Sequence, residues 1–228
     1  MFRFKLAYYP FFIVFISSIL LFSSCNSENE NSDALVGLVA INSINSSTNT
    51  SGNTENCGTT GFCMIFATAA NATVNAGIAG LDANCAADSR KPSNGRTFKA
   101  LVSDGTNRKA CTNANCSTGT GEHIDWVLKP SKEYRRIDGT TVIGTTTANG
   151  VFSFPLTNVF QTTVTGTNSI VTGLNTDWTS SAFDCSNWTT NAGGTNTSFA
   201  VHDDLTSATL SVGNQACNNV SKVVCVEQ

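Results

Sequence analysis

Short apolar runs separated by turn residues dominate the chain after residue 57. Six runs rich in β-branched or aromatic residues favour strands: 64–70, 97–103, 140–146, 150–154, 208–212 and 222–227. Gly, Asn, Asp and Ser between them are typical of turns. One segment, 76–90, has helical spacing instead, with Ile78, Leu81, Cys85 and Ala86 on one face. The pattern predicts an α+β domain made mostly of strands and long loops, with one or two helices.

The first 24 residues have the pattern of an export signal. Two basic residues precede an uncharged apolar stretch over 6–22, and two serines follow it. Cys25 comes next, which resembles the lipobox of bacterial lipoproteins, although Phe22 replaces the usual leucine. We therefore expect a signal peptide over 1–24 and a lipid on Cys25. Ordinary cleavage beside an unmodified cysteine is the alternative.

Composition then separates a linker from a domain. Residues 26–56 are rich in Asn, Ser and Thr and contain no aromatic residue, so they cannot bury enough apolar surface to offset the entropy of ordering. We expect residues 25–56 to be the lipidated cysteine and a tether, which would span roughly 30 Å as a random chain. The remaining residues, 57–228, are enough for one domain. The expected location is the bacterial cell envelope, at the outer membrane and exposed on the surface.

Cysteine usage agrees with export. The chain has 9 cysteines, and a lipidated Cys25 leaves an even number in the domain. An even set of cysteines in an exported domain predicts a disulfide framework, but sequence alone leaves 105 pairings of eight cysteines open. Zinc is a weak alternative, because no CxxC pair occurs and only His123 and His202 could complete a Cys/His set.

Charge excludes one class of partner and indicates one candidate surface. Without the two basic residues of the leader, 11 Lys and Arg face 16 Asp and Glu. A net negative charge and an exported location exclude nucleic acid as a partner. The basic stretch at 129–139 carries the candidate ligand contacts Lys129, Lys132, Tyr134, Arg135 and Arg136. These residues would suit an acidic glycan; a solvated face is the alternative.

Catalytic chemistry is sparse. There is no GxSxG motif, and His202 with Asp203 and Asp204 is the only His–acid cluster. Without a paired nucleophile, we expect that cluster to be a surface loop rather than a catalytic site. The three tryptophans, Trp126, Trp178 and Trp188, are expected in the core. We predict no catalytic residues, no metal and no cofactor.

Both ends of the domain carry recognisable motifs. Residues 77–85 read Gly-hydrophobic-x-Gly-x-Asp-x-x-Cys, and residues 97–100 read Thr-Phe-Lys-Ala. Near the other end a Cys-x-x-Trp motif (185–188) precedes Cys217 and the hydrophobic-Cys-hydrophobic-Glu pattern at 224–227. This order of motifs resembles the endostatin domain of multiplexin collagens, which has a C-type-lectin-like fold.

The pattern also resembles a bacterial domain of unknown function in spirochaete surface lipoproteins. The matching segments are "GLNTDWT" at 173–179 and "CVEQ" at 225–228. Together the resemblances cover roughly 64–228 and are weak between 105 and 165. They imply that the two chain ends pair as strands. The endostatin resemblance also implies the disulfides Cys85–Cys225 and Cys185–Cys217, which leaves Cys57–Cys63 and Cys111–Cys116 as local loop closures.

The resemblance does not bring the calcium site of sugar-binding lectins with it. Neither Glu-Pro-Asn nor Gln-Pro-Asp occurs, and residues 140–176 contain no Asp or Glu. Calcium needs several converging carboxylates, so we expect calcium-independent binding. Two functions remain: a non-catalytic adhesion module that binds a host matrix protein or glycan from a membrane anchor, or a structural envelope component without a soluble ligand.

Overall fold

The computed structural model describes residue 57 and residues 61–93, 95–162 and 166–228. The predicted signal peptide, Cys25 and the tether over 26–56 lie outside these residues. The described part belongs to one compact unit, Thr50–Gln228. It is mixed α/β, with more strands than helices and several disulfides.

The secondary-structure elements are short. The strands are β1 (Cys63–Ala67), β2 (Phe98–Ala100), β3 (Glu133–Arg136), β4 (Val142–Thr145), β5 (Ser169–Val171), β6 (Asn196–Val201), β7 (Gly213–Ala216) and β8 (Val224–Glu227). The helices are α1 (Gly77–Ala87) and the four-residue α2 (Cys185–Trp188). There are also three 3-10 turns within the described residues, at Ala114–Cys116, Thr120–Glu122 and Ser207–Thr209. All four residues of α2 have positive φ, between 54° and 59°.

The larger sheet joins the two ends of the domain. Its strand order is β2-β8-β1-β3-β4, with β8 antiparallel to both neighbours and β1 parallel to β3. Ile65 lies opposite Val226, and Ala100 lies opposite Cys225. The C-terminal strand is therefore an interior strand with a partner on each side.

Both faces of β8 are covered. Val224 and Val226 belong to one buried cluster, and Cys225 belongs to a second cluster that includes Leu81 and Cys85 of α1. All four residues of the strand are buried. Burial on both faces explains why this strand is a nearly continuous apolar run rather than an alternating one.

The smaller sheet has three antiparallel strands in the order β5-β6-β7. Ile170 pairs with Ala200 across β5 and β6, and Ser198 pairs with Asn214 across β6 and β7. The outer side of β5 is bonded by Lys222, whose N–H donates to the Ser169 carbonyl at 2.9 Å. This sheet therefore presents β7 as its edge strand.

Four disulfides hold these elements. Cys85–Cys225 joins α1 to β8, and Cys185–Cys217 joins α2 to the turn after β7. Cys57–Cys63 and Cys111–Cys116 close short loops. The first two are the pairs that the resemblance implies, and the other two are the local loop closures expected for the remaining cysteines.

A buried arginine connects α1 to the loops. The guanidinium of Arg108 donates to both carboxylate oxygens of Asp82 at 2.8 Å, and to the carbonyl of Ala100 at 2.9 Å. It also forms an ion pair with Asp125 at 2.5 Å. One fully buried side chain thus ties the helix, β2 and the loop at residue 125 together.

The predicted helix over 76–90 is present as Gly77–Ala87, with Leu81 and Cys85 buried. Ala86, predicted on the same face, is exposed. The runs at 64–70, 97–103, 140–146 and 222–227 contain β1, β2, β4 and β8.

Two strand predictions are wrong. Residues 150–154 are loop, and residues 208–212 contain the end of a 3-10 turn. The predictions also missed β3, β5, β6 and β7, whose sequences are polar or very short. Cross-strand hydrogen bonds and one buried face stabilise these four, so their own β-propensity is a poor guide.

Candidate functional site

An open cleft of about 540 Å³ lies at the start of β7. We call it the phenyl cleft; the lining residues used below are Asn175, Ser181, Phe183, Ser198, Ser211 and Asn214. None of the residues that line it is charged. Its volume is in the range of ordinary ligand sites.

The floor of the phenyl cleft is a cross-strand pair, and its wall is a loop fixed to that pair. Ser198 of β6 lies opposite Asn214 of β7. The Ser198 N–H donates to the Phe183 carbonyl at 2.7 Å, and the Phe183 N–H donates to the Ser181 hydroxyl oxygen at 3.1 Å. These bonds hold the Phe183 segment beside the sheet, so the cleft is largely preformed.

The cleft offers hydrogen-bonding groups that the described residues do not use. Neither the Asn214 amide nor the Ser211 hydroxyl has a side-chain partner in that part of the chain, whereas Ser198 is only 2% exposed. Phe183 is 41% exposed, and Val212, next to the lining, is 48% exposed. A free amide, a free hydroxyl and an exposed aromatic residue suit an uncharged ligand with both polar and apolar faces.

A ridge made of residues 175–180 borders the phenyl cleft. The Asn175 N–H donates to the Thr179 carbonyl at 2.9 Å, and the Asp177 carboxylate accepts from the Thr179 hydroxyl at 2.6 Å. Trp178 is fully buried with φ 70°, and its indole N–H donates to the Phe152 carbonyl at 3.0 Å. The ridge is a tight turn anchored in the core by an aromatic side chain.

A smaller cleft of about 370 Å³ lies near the ridge and is lined by Asn115, Thr147, Asn149, Phe152, Ser153 and Phe154, among others. The Phe154 ring stacks on the Trp178 ring with centroids 5.9 Å apart. The Asn115 N–H donates to the Asp177 carbonyl at 2.7 Å, so this cleft also contacts the ridge. It too is uncharged, but it has no aromatic residue as exposed as Phe183.

One acid within the ridge and one just after it both accept backbone N–H groups. The Asp177 carboxylate accepts the Thr179 N–H at 3.1 Å, and the Asp184 carboxylate accepts the Asn187 N–H at 3.0 Å. Burial raises the pKa of Asp184. In the described part of the chain, no three His, Cys, Asp or Glu side chains come together as a metal site.

The structure contradicts one predicted ligand contact in the basic stretch at 129–139. It contains β3, and Tyr134 is fully buried, with its hydroxyl accepting the Lys129 N–H at 2.8 Å. Burial raises the pKa of Tyr134 far above its ordinary value. Tyr134 is a core residue, so the prediction that it contacts a ligand is wrong.

The two arginines of that stretch are held by the fold. The Arg135 guanidinium lies 4.2 Å from the centre of the Phe62 ring and donates to Glu133 at 2.7 Å. Arg136 donates to the Val159 carbonyl at 2.9 Å. Lys129 and Lys132 are half-buried. None of these four basic residues lines either cleft.

The His–acid cluster is also placed differently. His202 is fully buried, not on a surface loop, and its Nδ1 pairs with the Gln161 carbonyl at 3.1 Å. Burial lowers the pKa of His202. The other histidine, His123, contacts Cys116 of a disulfide. Neither histidine contacts a hydroxyl nucleophile within the described segments.

Sequence analysis missed the phenyl cleft, because its residues lie far apart in the chain and form no motif. Phe183 precedes Cys185 within a polar segment, and Asn214 belongs to a strand that was not predicted. The only signal in the sequence was an aromatic residue among Ser, Ala and Asp next to a cysteine. That signal is too common to indicate a site.

Comparison with known proteins adds a family. No curated protein matches the chain, and no described helix is both long and apolar enough to cross a membrane. The model of one family, described as a protein of unknown function, matches residues 67–204, more than half of the chain. The match begins in β1 and ends just after β6, so it includes α1, the ridge and most of the phenyl cleft. The chain therefore belongs to the DUF1554 family of proteins of unknown function.

Proposed function

We propose that this protein is a lipid-anchored lipoprotein of the bacterial cell envelope whose domain is a non-catalytic, calcium-independent binding module. Its partner would be a host matrix protein or a glycan, bound at the phenyl cleft. The observation that carries this proposal is the combination of an exposed Phe183 ring with unpartnered amide and hydroxyl groups in an uncharged, preformed cleft.

Three features support a C-type-lectin-like fold. The first and last strands of the domain pair antiparallel, and a disulfide joins α1 to the last strand. A second disulfide closes the turn that follows β7. These are the features that the endostatin resemblance implies. Long loops on such a rigid framework are well suited to recognition.

Calcium independence is supported by the positions of the acids. Asp177 and Asp184 are the acids nearest to the phenyl cleft in sequence, and both accept hydrogen bonds from neighbouring backbone groups. A calcium ion would need six to eight oxygen ligands, usually with several carboxylates. The cleft lining contributes amide and hydroxyl oxygens only.

The anchor is supported by the sequence of the leader. An uncharged stretch over 6–22 is followed by Ser-Ser-Cys, with Cys25 at the lipidation position. Cys25→Ser should move the protein from the membrane fraction to a soluble fraction. Continued fractionation with membranes would contradict the anchor.

The binding test uses the soluble Cys25→Ser chain, immobilised and probed with arrays of matrix proteins and glycans in EDTA. We expect at least one ligand to be retained, with binding lowered about tenfold by Phe183→Ala. The matched control is Leu205→Ala, because Leu205 is 40% exposed but does not line the cleft. Absence of any ligand, together with full protection from added protease on intact cells, would instead favour a structural envelope role.

A further inference from the structure

A third uncharged cleft lies at the other end of β7. It encloses about 270 Å³, and five asparagines contribute to its lining: Asn71, Asn75, Asn191, Asn218 and Asn219. We call it the asparagine cleft. Val220, which also lines it, is 65% exposed, the highest value among the large hydrophobic residues described.

The five amides are not used by the fold. Asparagine is common in turns because its side chain bonds to nearby backbone. Asn158 does so, since its amide donates to the Val142 carbonyl at 2.7 Å. The asparagines of the cleft are exposed, and their amides make no hydrogen bond within the described chain. Each therefore keeps two donors and one acceptor available to a ligand.

The walls of this cleft are nevertheless fixed. The Ala72 N–H donates to the Ser221 carbonyl at 2.7 Å, and the Cys217 N–H donates to the Thr195 carbonyl at 2.9 Å. The disulfide Cys185–Cys217 anchors the same turn. The free amides therefore project from a backbone that is fixed by hydrogen bonds and a disulfide. Less conformational entropy of the backbone is then lost when they bind a ligand.

One strand connects the two clefts. Gly213 and Asn214 at the start of β7 line the phenyl cleft, and Cys217 to Val220 just past its end line the asparagine cleft. The strand itself covers about 10 Å from Gly213 to Ala216, and the chain then turns at residues 217 and 218. Since β7 is the edge strand of its sheet, this path has no neighbouring strand on its outer side.

We propose that the phenyl cleft, β7 and the asparagine cleft form one extended site for a linear, uncharged oligosaccharide. This inference rests on the proposed binding function and deepens it by assigning the ligand class. Saccharide hydroxyls both donate and accept hydrogen bonds, as the free amides require. The C–H faces of sugar rings pack on exposed aromatic and aliphatic groups, here Phe183 and Val220.

An added peptide strand fits the same path less well. The Cys217 N–H donates to the Thr195 carbonyl, just before β6. Backbone groups alternate along an antiparallel strand, so Asn214 and Ala216 direct theirs outward. The Ala216 carbonyl already accepts the Asn219 N–H at 3.0 Å. Only three outward backbone groups remain on β7, which is few for strand addition.

The test measures length dependence by titration calorimetry on the mature chain with Cys25→Ser. The probes are N-acetylglucosamine and its unbranched oligomers, with glucose and its oligomers as a parallel series. If both clefts bind one chain, Kd should fall at least tenfold from monomer to long oligomer, because the second contact becomes intramolecular. Phe183→Ala and the double variant Asn218→Ala/Asn219→Ala should each abolish that gain.

The control variant is Asn113→Ala, which removes an exposed amide that lies outside both clefts; it should leave the gain unchanged. A Kd that does not depend on length overturns the extended site. Loss of binding in Phe183→Ala with no effect of the asparagine variant also overturns it, although the phenyl cleft would still be a binding site. Retention of a matrix protein in EDTA without binding of either saccharide series overturns the ligand class and leaves the proposed binding function standing.

Discussion

Polar side chains are hydrogen-bonded in the sheet that joins the chain ends, but several of the described ones are unbonded on the surface around β7. In the sheet, the buried carboxylate of Glu227 accepts from Arg96 at 2.8 Å and from the Met64 N–H at 2.8 Å. Around β7, the amides of Asn214 and Asn218 are exposed, with no described partner. Paired groups contribute to stability, whereas unpaired exposed groups are available for binding. The domain thus separates a region of paired polar groups from the surface that we propose for recognition.

The largest loss of stability should come from removing the disulfide that joins α1 to β8, in the region of paired groups. Replacing Cys85 and Cys225 by Ala removes a link across 140 residues, which corresponds to about 5 kcal/mol in the chain-entropy model, by extrapolation. That is comparable to the net stability of a whole domain. Circular dichroism and thermal unfolding should show loss of the folded state.

The matched control is the pair Cys111→Ala/Cys116→Ala, whose separation is 5. The same model assigns this short loop about 2 kcal/mol, so the variant should remain folded. Equal losses from the two pairs would show that loop length does not determine their contributions.

The next largest effect concerns the buried arginine. Arg108→Met should lower the free energy of unfolding by about 2–4 kcal/mol, because Asp82 loses its ion-pair partner and Asp125 keeps only Lys99. Partial exposure of both carboxylates lets water compensate in part. Urea unfolding at neutral pH measures it. Arg135→Met is the control, since its ion pair is about one-third exposed and should contribute less than about 1 kcal/mol. A smaller loss of stability in Arg108→Met than in Arg135→Met would contradict the conclusion that Arg108 holds α1, β2 and the loop at residue 125 together.

The pH dependence of stability tests His202, which is buried just after β6, between the two regions compared. Burial lowers the pKa of His202 below its ordinary value in the unfolded chain. The unfolded state then binds more protons, so stability should fall as pH drops through about 6.5, the unperturbed histidine value, toward the lower folded value. Urea midpoints between pH 8 and pH 5 measure this loss.

His202→Gln should make that loss shallower without abolishing it, because burial also lowers the pKa of His123. The carboxylates with lowered pKa, such as Asp125 and Asp138, lose their contribution only at more acidic pH; the pKa of Asp138 is about 2. An unchanged pH profile in the variant would mean that His202 is not protonated in unfolding over this range.

The smallest effect on stability is expected at the surface that we propose for recognition, where Phe183 lines the phenyl cleft. Phe183→Ala should lower the free energy of unfolding by about 1 kcal/mol, because Phe183 is 41% exposed and belongs to neither buried cluster. Phe66→Ala, at a fully buried ring of the sheet, should cost about 3–5 kcal/mol. A large loss at Phe183 would assign it to the core and remove the contrast.

The elements that sequence predicted well are those whose pattern is local or strongly constrained. The apolar run at 222–227 identifies a strand buried on both faces, and the Leu81–Cys85 spacing identifies the buried face of α1. Trp178 and Trp188 are fully buried, as predicted. The pattern was less useful for β6 and β7, where Asn, Thr, Ser and Gly leave little periodicity to detect.

By itself, the sequence determined the class of domain, the even cysteine set and the apolar end strand, because these follow from residue type and local spacing. Only the tertiary structure decided that Tyr134 and His202 are buried and that Phe183 and Asn214 share a cleft. The physical reason is that burial and cleft formation depend on which distant segments pack together. In this chain, the Phe183 and Asn214 segments are brought together by the pairing of β6 with β7 and by the disulfide Cys185–Cys217, whose cysteines are 32 residues apart.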